Sequence, residues 1–481
     1  MSLALLLKQA IEHHRNGKLD LAEDMYRFLG EADAGNPRIW YLRGLVAREL
    51  GRHEQAIERF QRAMALGHDR ADGWFEIGRT QGRAGDATAA MAAYREVLAI
   101  APARVDALCN LANLQLEAGA FDDARANYEQ ALALAPDNAT IHYNLGTLCL
   151  KRFQPARAVD HFEAAIRLGP DHANAHNSRG VALAELGATA DAAEALRKAS
   201  ELAPTFIEPL FNLHGQRVDL GDIDGAIACM RRAVDIDPAN ADNRFFLGML
   251  QQYSGDEEAG ARIFQALRDE GSAEAEIDSW SYLRSLASAM PTMTGSNRGT
   301  FELALARAPR TGLVLEFGVY HGKSIRQIAA MVDTVVHGFD SFEGIPEDWG
   351  AEPKGTYSTG GRLPEVPANV RLHPGWFERS LPEFLRAETG PVRFVNVDCD
   401  LYSSTKTVLG LLAPRMVTGS VIVFDEFIGY ETWRDDEFKA FHEAVERFGW
   451  TYEVLCFSFM TRQVALRIEW HGSWETSASL P

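Results

Sequence analysis

From residue 3 to 274 the apolar and polar positions return in a fixed 34-residue register, through eight units. In the first amphipathic stretch of each unit a small residue recurs: Ala10, Gly44, Gly78, Ala112, Gly146, Gly180 and Gly248, with His214 the departure. Glycines follow at 17, 51, 85, 119, 187, 221 and 255, where a turn with positive φ costs little; Phe153 precedes the turn that lacks one. The second stretch repeats alanine at 22, 56, 90, 124, 158, 192 and 226. Four positions on stands a large apolar residue: Tyr26, Phe60, Tyr94, Tyr128, Phe162, Leu196, Met230 and Phe264. Positions i and i+4 share a helix face, so each unit predicts a pair of packed helices. Prolines at 102, 136, 170, 204 and 238 end the second helix. The eighth unit is the least regular, with Gly260 where the alanine recurs.

This register resembles the tetratricopeptide repeat family over about 270 residues. The resemblance implies an all-α superhelix whose concave surface binds an extended partner, a protein or a substrate carrier. A generic helical bundle would need no such register. Aromatics on first helices, such as Trp40, Trp74, Phe75 and Tyr143, read as core before they read as ligand contacts. Residues 275–310 break the register while staying helical in pattern and are expected to cap the array and lead onward. Within them 290–300 (MPTMTGSNRGT) is rich in turn formers and is the expected hinge.

From residue 311 to 470 short apolar runs alternate with helical stretches, which predicts an α/β, Rossmann-like domain with a mostly parallel sheet. Four of the runs end in acids, Glu316, Asp340, Asp398 and Asp425, at the edge where ligands bind in such sheets. The first reads LVLEFGVYHGKS. Its spacing is neither G-x-G-x-x-G nor a full phosphate-binding loop, and Gly322-Lys323-Ser324 matches the latter only in part. Asp340, about 20 residues on, is placed to accept the hydroxyls of a ribose. NAD and S-adenosylmethionine both carry that ribose.

Four segments in order, GFDSFEGIPEDW, HPGWFERSLPEFL, VRFVNVDCDLYSST and VIVFDEF, resemble the macrocin O-methyltransferase family of class I S-adenosylmethionine-dependent methyltransferases, over roughly residues 311–468. The resemblance implies that Glu316, Gly318 and Gly322, with Tyr320 and Ser324, cradle the methionine part of S-adenosylmethionine. It places Asp340 on the ribose, and Ser341, Phe342, Gly375, Trp376 and Phe377 near the adenine. An acceptor hydroxyl of a sugar or glycosylated small molecule also rests on the resemblance alone.

Asp398 and the pair Asp425-Glu426 follow adjacent strands, so their oxygens are expected to converge on a divalent metal, Mg2+, with Asp398 the catalytic carboxylate. Glu426 departs from the Asn of catechol-type and the Asp of macrocin-type enzymes and is one methylene longer. The competing reading makes Asp398 and Asp400 caps of the helix at Ser403-Ser404-Thr405. Asp400, Tyr402, Tyr430 and Trp433, with Tyr357, are candidates for the acceptor pocket, although aromatics at strand ends also serve as core. Residues 346–369, rich in Gly and Pro, are expected to form a lid. His321, His337, His373 and His442 show no ligand spacing, and only His321 lies between the cofactor glycines.

Composition narrows the remaining classes. With 48 Lys and Arg against 67 Asp and Glu, the net charge of −19 argues against a sequence-independent grip on nucleic acid or an anionic membrane. No apolar run approaches a membrane span, and the N-terminus lacks the pattern of a secretion signal. Five scattered cysteines suggest neither a disulfide framework nor a zinc site, so a cytoplasmic location is expected. Residues 471–481 read as a disordered tail. The leading reading is an O-methyltransferase with a recruiting arm. A scaffold with a non-catalytic methyltransferase-like domain and a protein methyltransferase stand as alternatives.

Overall fold

A computed structural model of the chain describes residues 2–286 and 290–470, so the expected tail lies outside the described residues. The chain divides into two compact units, Met1–Pro170 and Asp171–Pro481. The first consists of five antiparallel helix pairs: α1 (Leu3–Arg15) with α2 (Leu19–Ala32), α3 (Pro37–Glu49) with α4 (His53–Ala65), α5 (Arg70–Arg83) with α6 (Ala87–Ile100), α7 (Val105–Glu117) with α8 (Phe121–Leu134), and α9 (Ala139–Lys151) with α10 (Pro155–Leu168). The recurring small residue is where each pair closes. A Cβ on Gly44 would lie 2.5 Å from the Phe60 ring, one on Gly78 2.8 Å from Tyr94, and one on Gly146 2.6 Å from Phe162. The ring fills the space that the missing side chain leaves. Phe153 takes the left-handed conformation (φ 54°) that glycine adopts in the other turns.

The second unit begins with three more pairs: α11 (Ala173–Leu186) with α12 (Thr189–Leu202), α13 (Ile207–Asp219) with α14 (Ile223–Ile236), and α15 (Ala241–Tyr253) with α16 (Glu257–Asp269). Gly180 receives Leu196 and Gly248 receives Phe264 in the same way. His214, the exception to the small-residue rule, is 1 % exposed and packs between Phe211 and Phe246, each 5.0 Å away. Burial drives its pKa down to about 4, so it is a neutral core side chain. Helix α17 (Glu274–Ser285) follows the last pair.

The α/β part holds a sheet of eight strands: β1 (Thr292–Met293), β2 (Leu313–Phe317), β3 (Val336–Asp340), β4 (Val370–Pro374), β5 (Val392–Val397), β6 (Val421–Phe424), β7 (Thr451–Ser458) and β8 (Gln463–Trp470). Their order is β1-β7-β8-β6-β5-β2-β3-β4. All neighbours are parallel except β8, which runs antiparallel to β6 and β7. The helices are α18 (Asn297–Arg307), α19 (Lys323–Ala330), α20 (Phe377–Ala387), α21 (Tyr402–Leu412) and α22 (Glu437–Phe448). The chain steps outward from β2 to β4 and then returns to its other side with β5. The crevice between the carboxyl ends of β2 and β5 is therefore the topological switch point, where ligands bind in open α/β sheets. No described helix is long and apolar enough to cross a membrane.

Repeats six to eight are continuous with this sheet. Phe245 of α15 meets Phe459 at 5.1 Å, and Trp280 of α17 meets Phe457 at 5.8 Å, within one buried cluster that reaches Phe424 of β6. The expected hinge at 290–300 is held from several sides. β1 pairs with β7, and Thr294 is buried against Thr300. Asp219 of α13 accepts from the Gly295 amide (2.7 Å) and the Ser296 hydroxyl (2.6 Å), while Ser296 caps α18. A Cβ on Gly295 would lie 1.9 Å from the Gly215 carbonyl. The small residues that read as flexibility serve close backbone contact. The compact division falls after Pro170, within the repeat register.

Each buried ring at this junction is worth roughly 1.5–3 kcal/mol. A fragment of residues 171–481 is expected to unfold in one cooperative transition, whereas 311–481 is expected to aggregate or lack tertiary structure. Near-UV circular dichroism and chemical denaturation of both fragments check this; a folded 311–481 fragment would refute the junction's role.

Candidate active site

Glu316, at the end of β2, is fully buried, and its Oε1 accepts from the Ser324 hydroxyl and, at 3.4 Å, from Asn396 of β5. Its Oε2 is buried without a partner. Burial pushes its pKa up to about 8. Gly318 follows with φ 91°, and a Cβ there would lie 1.5 Å from the Asp398 carbonyl, so the crevice closes only over glycine. Asp340 Oδ2 accepts from the amides of Val319 (2.8 Å) and Tyr320 (2.7 Å), and Oδ1 from that of Phe342 (2.7 Å). Asp340 thereby holds the glycine turn in shape. Tyr320 takes φ 48°, and its ring, 38 % exposed, meets Tyr357 at 5.9 Å. Gly322 (φ 77°) caps α19, and the Gly375 amide donates to the Asp340 carbonyl at 2.8 Å, which brings Trp376 to the same edge. These residues are assembled together.

Beside them lies a cluster of acids. Burial holds the pKa of Asp398 and Glu437 well above the usual carboxylate range and raises Asp400 and Glu426 to about 7 and Asp425 to about 6, with mutual repulsion adding to each except Asp425. For Asp425 the Gln463 amide, at 2.6 Å, opposes the effect of burial. Asp398 has no hydrogen bond to its carboxylate among the described residues, and Asp400 sits at φ 60° in the turn before α21. Tyr430 donates to the Glu426 carbonyl at 3.1 Å and lies under Trp349, whose indole donates to Asp436 at 3.2 Å. Residues 346–369 are thus a folded flap, pinned by the Ile345 and Gly355 amides to the Thr356 and Ile345 carbonyls, respectively.

Several expected residues face elsewhere. Of the expected metal ligands, Asp425 accepts from Gln463 and lies 3.5 Å from Asn297, while Glu426 pairs with Arg462 at 3.2 Å. Among the described residues no group of three His, Cys, Asp or Glu side chains is placed to hold a metal ion. Asp425 and Glu426, successive residues after β6, turn to different partners. Trp433, 2 % exposed, packs against Tyr282 and Phe438 in the core and faces no cleft. Tyr402 donates to Glu443 of α22 at 2.7 Å, on the outer side of the helix pair. Phe342 is 1 % exposed, so its ring is core, while its carbonyl accepts from Gly361. Phe377 lies edge-on to Phe317 at 5.3 Å, and Ser341 bridges its own turn to Gly344. Sequence reasoning passed over Asn396, Glu437, Asn297 and Gln463. Glu437 opens α22, where an acid reads as an ordinary helix-dipole residue.

Comparison with known proteins follows this division. A family model described as "Methyltransferase domain" matches residues 315–427. Tetratricopeptide repeat models match 7–67 and 150–205, 83–126 and 218–240, and a TPR repeat model matches 116–151. The chain joins tetratricopeptide repeats to a methyltransferase domain. A curated relative from Streptomyces olivaceus, 8-demethyl-8-(2,3-dimethoxy-alpha-L-rhamnosyl)-tetracenomycin-C 4'-O-methyltransferase, is 33% identical over 165 residues, which cover 29% of this chain. The chain spans 59% of that relative's length. Among solved structures, the C-terminal part of a TPR repeat-containing protein from Cytophaga hutchinsonii is 17% identical, with a TM-score of 0.42, covering 50% of this chain and 99% of its own. MamA is 25% identical, with a TM-score of 0.32, covering 34% and 97%.

The acids of this repeat–methyltransferase fusion give its stability a definite pH dependence. Groups whose folded pKa lies above the unfolded value of about 4 keep protons that the unfolded chain has lost. Stability is then highest below that value and falls as pH rises through the folded values of about 6 to 8. The melting temperature is expected to decrease from pH 5 to pH 8, and Glu437→Gln to flatten the slope. Calorimetry at fixed ionic strength checks both, and a melting temperature that rose over this range would contradict the assignment.

Proposed function

We propose that the domain transfers a methyl group from S-adenosylmethionine to a hydroxyl of a sugar or glycosylated small molecule, while the repeats bind a protein partner or substrate carrier. The observation that carries this is the unpartnered Asp398 carboxylate, set across the β2–β5 crevice from the Glu316–Gly318 turn. The relative's name, an O-methyltransferase of a rhamnosylated compound, supports oxygen and sugar. The unpaired cysteines are compatible with a reducing cytoplasm.

The cofactor supplies an electrophilic methyl on a sulfonium. The orphaned Glu316 Oε2 suits its ammonium group, which would favour the ionised carboxylate, and Asp340 Oδ1 retains accepting capacity for a ribose hydroxyl. Asp398, in its ionised form, takes the hydroxyl proton as the oxygen–carbon bond forms. When bound, the cofactor would give up the methyl and keep the sulfur–carbon electron pair on its sulfur. The flap, through Trp349 and Tyr430, excludes water.

Asp398→Asn is expected to lower kcat by about 10²–10⁴-fold while cofactor affinity stays within about threefold. Gly318→Ala is expected to abolish cofactor binding, since the methyl would meet the Asp398 carbonyl. Isothermal titration with S-adenosylmethionine, with and without magnesium, and a methyl-transfer assay read both. Wild-type affinity in Gly318→Ala would remove the cofactor placement. No binding by the native chain would favour the scaffold reading.

A further inference from the structure

The flap is tied down at two places that differ in kind. Its first stretch is held beside α21 and α22: Glu347 accepts from the Ser403 hydroxyl, and the Trp349 indole donates to Asp436 at 3.2 Å. Its later stretch lies on the glycine turn. Tyr357 meets Tyr320 edge-on at 5.9 Å, and Pro364 comes within 3.5 Å of where a Cβ on Gly322 would stand. Arg326 of α19 joins the two segments through one guanidinium. Its Nη1 donates to the carbonyls of His321 and Gly322, both at 2.8 Å, and its Nη2 to the carbonyl of Glu365.

A guanidinium presents its donors in a rigid, planar fork, so the separation of turn and flap is fixed by one flat group. The turn is gripped from its other side as well. Asp340 accepts from the amides of Val319 and Tyr320, while Arg326 holds the carbonyls of the two residues that follow. A ligand that engages Asp340 and the turn therefore bears on the same short stretch of backbone that Arg326 fastens to the flap. The Gly361 amide adds a second tie, to the Phe342 carbonyl at 3.0 Å. That bond joins two neutral groups, whereas those of Arg326 are charge-assisted and stronger.

We propose that Arg326 is a positioning residue that couples the cofactor turn to the flap, so that a cofactor seated against residues 318–322 also holds residues 355–366 over the crevice. This rests on the methyltransferase reading and adds a means of control to it. The coupling is reciprocal: the factor by which the cofactor closes the flap is the factor by which the flap retains the cofactor.

The flap carries its own reporters. Lys354 and Arg362 are both exposed, and trypsin cleavage after them, read by mass spectrometry of the full chain, follows the population of the open flap. Saturating S-adenosylmethionine is expected to slow that cleavage by about tenfold in the native chain. In Arg326→Met the ratio is expected to fall to about twofold, the remainder carried by the Gly361 tie, and calorimetric cofactor affinity to fall by the matching factor of about five. Arg326→Lys keeps the charge without the fork and disturbs the fold least; it is expected to lie between the two in both measures. Asn369 donates to the carbonyls of Ala329 (2.9 Å) and Val332 (3.3 Å) and so pins the end of the flap away from the turn. Asn369→Ala is expected to speed cleavage with and without cofactor alike and to leave the ratio unchanged. Native cleavage indifferent to bound cofactor would overturn the coupling, as would a native ratio in either Arg326 variant or an equal loss of it in Asn369→Ala. Each of those results leaves the methyltransferase reading standing, whereas no calorimetric binding by the native chain would remove that reading and this inference with it.

Discussion

Five carboxyl groups at one sheet edge, Asp398, Asp400, Asp425, Glu426 and Glu437, cannot all be charged in the absence of a compensating cation. That constraint organises the domain. It explains why Arg462 is brought to Glu426, why Gln463 and Asn297 are spent on Asp425, and why a backbone amide is given to Glu437. The strand ends that raise the cost of charge are the same ones that converge at the switch point, so the fold's topology and the site's chemistry have one origin.

Much of this was legible in the chain itself. The 34-residue register could be read because each small residue has one job, admitting the ring of Phe60, Tyr94 or Phe162, and glycine or alanine is the simplest answer to it. Glu316, Gly318 and Asp340 were legible because strand-end acids and glycines carry position with them. The direction of a side chain after a strand ends is not written in that way. Asp425 and Glu426 are neighbours in sequence and turn to different partners, Gln463 and Arg462, which adjacency did not tell. Trp433 illustrates the same limit, since an aromatic at a strand end reads alike whether it lines a pocket or fills the core.

The stretch 290–300 shows how one composition serves opposite ends. Gly295, Ser296 and Gly299 look like a joint, yet the two glycines leave room for α13 to press onto the start of α18, and Asp219 accepts from the Gly295 amide and the Ser296 hydroxyl. What turns a flexible sequence rigid is a long-range acceptor, 76 residues away from Gly295, and no local window contains it.

The last three repeats share a core with the sheet, while the first five pack as a unit of their own. A repeat gained or lost before Pro170 would leave every residue at the reaction centre in place. One gained or lost after it would pull α13 off its seat. The number of repeats in the first unit is therefore uncoupled from the geometry of the sheet edge, and the number in the second is not.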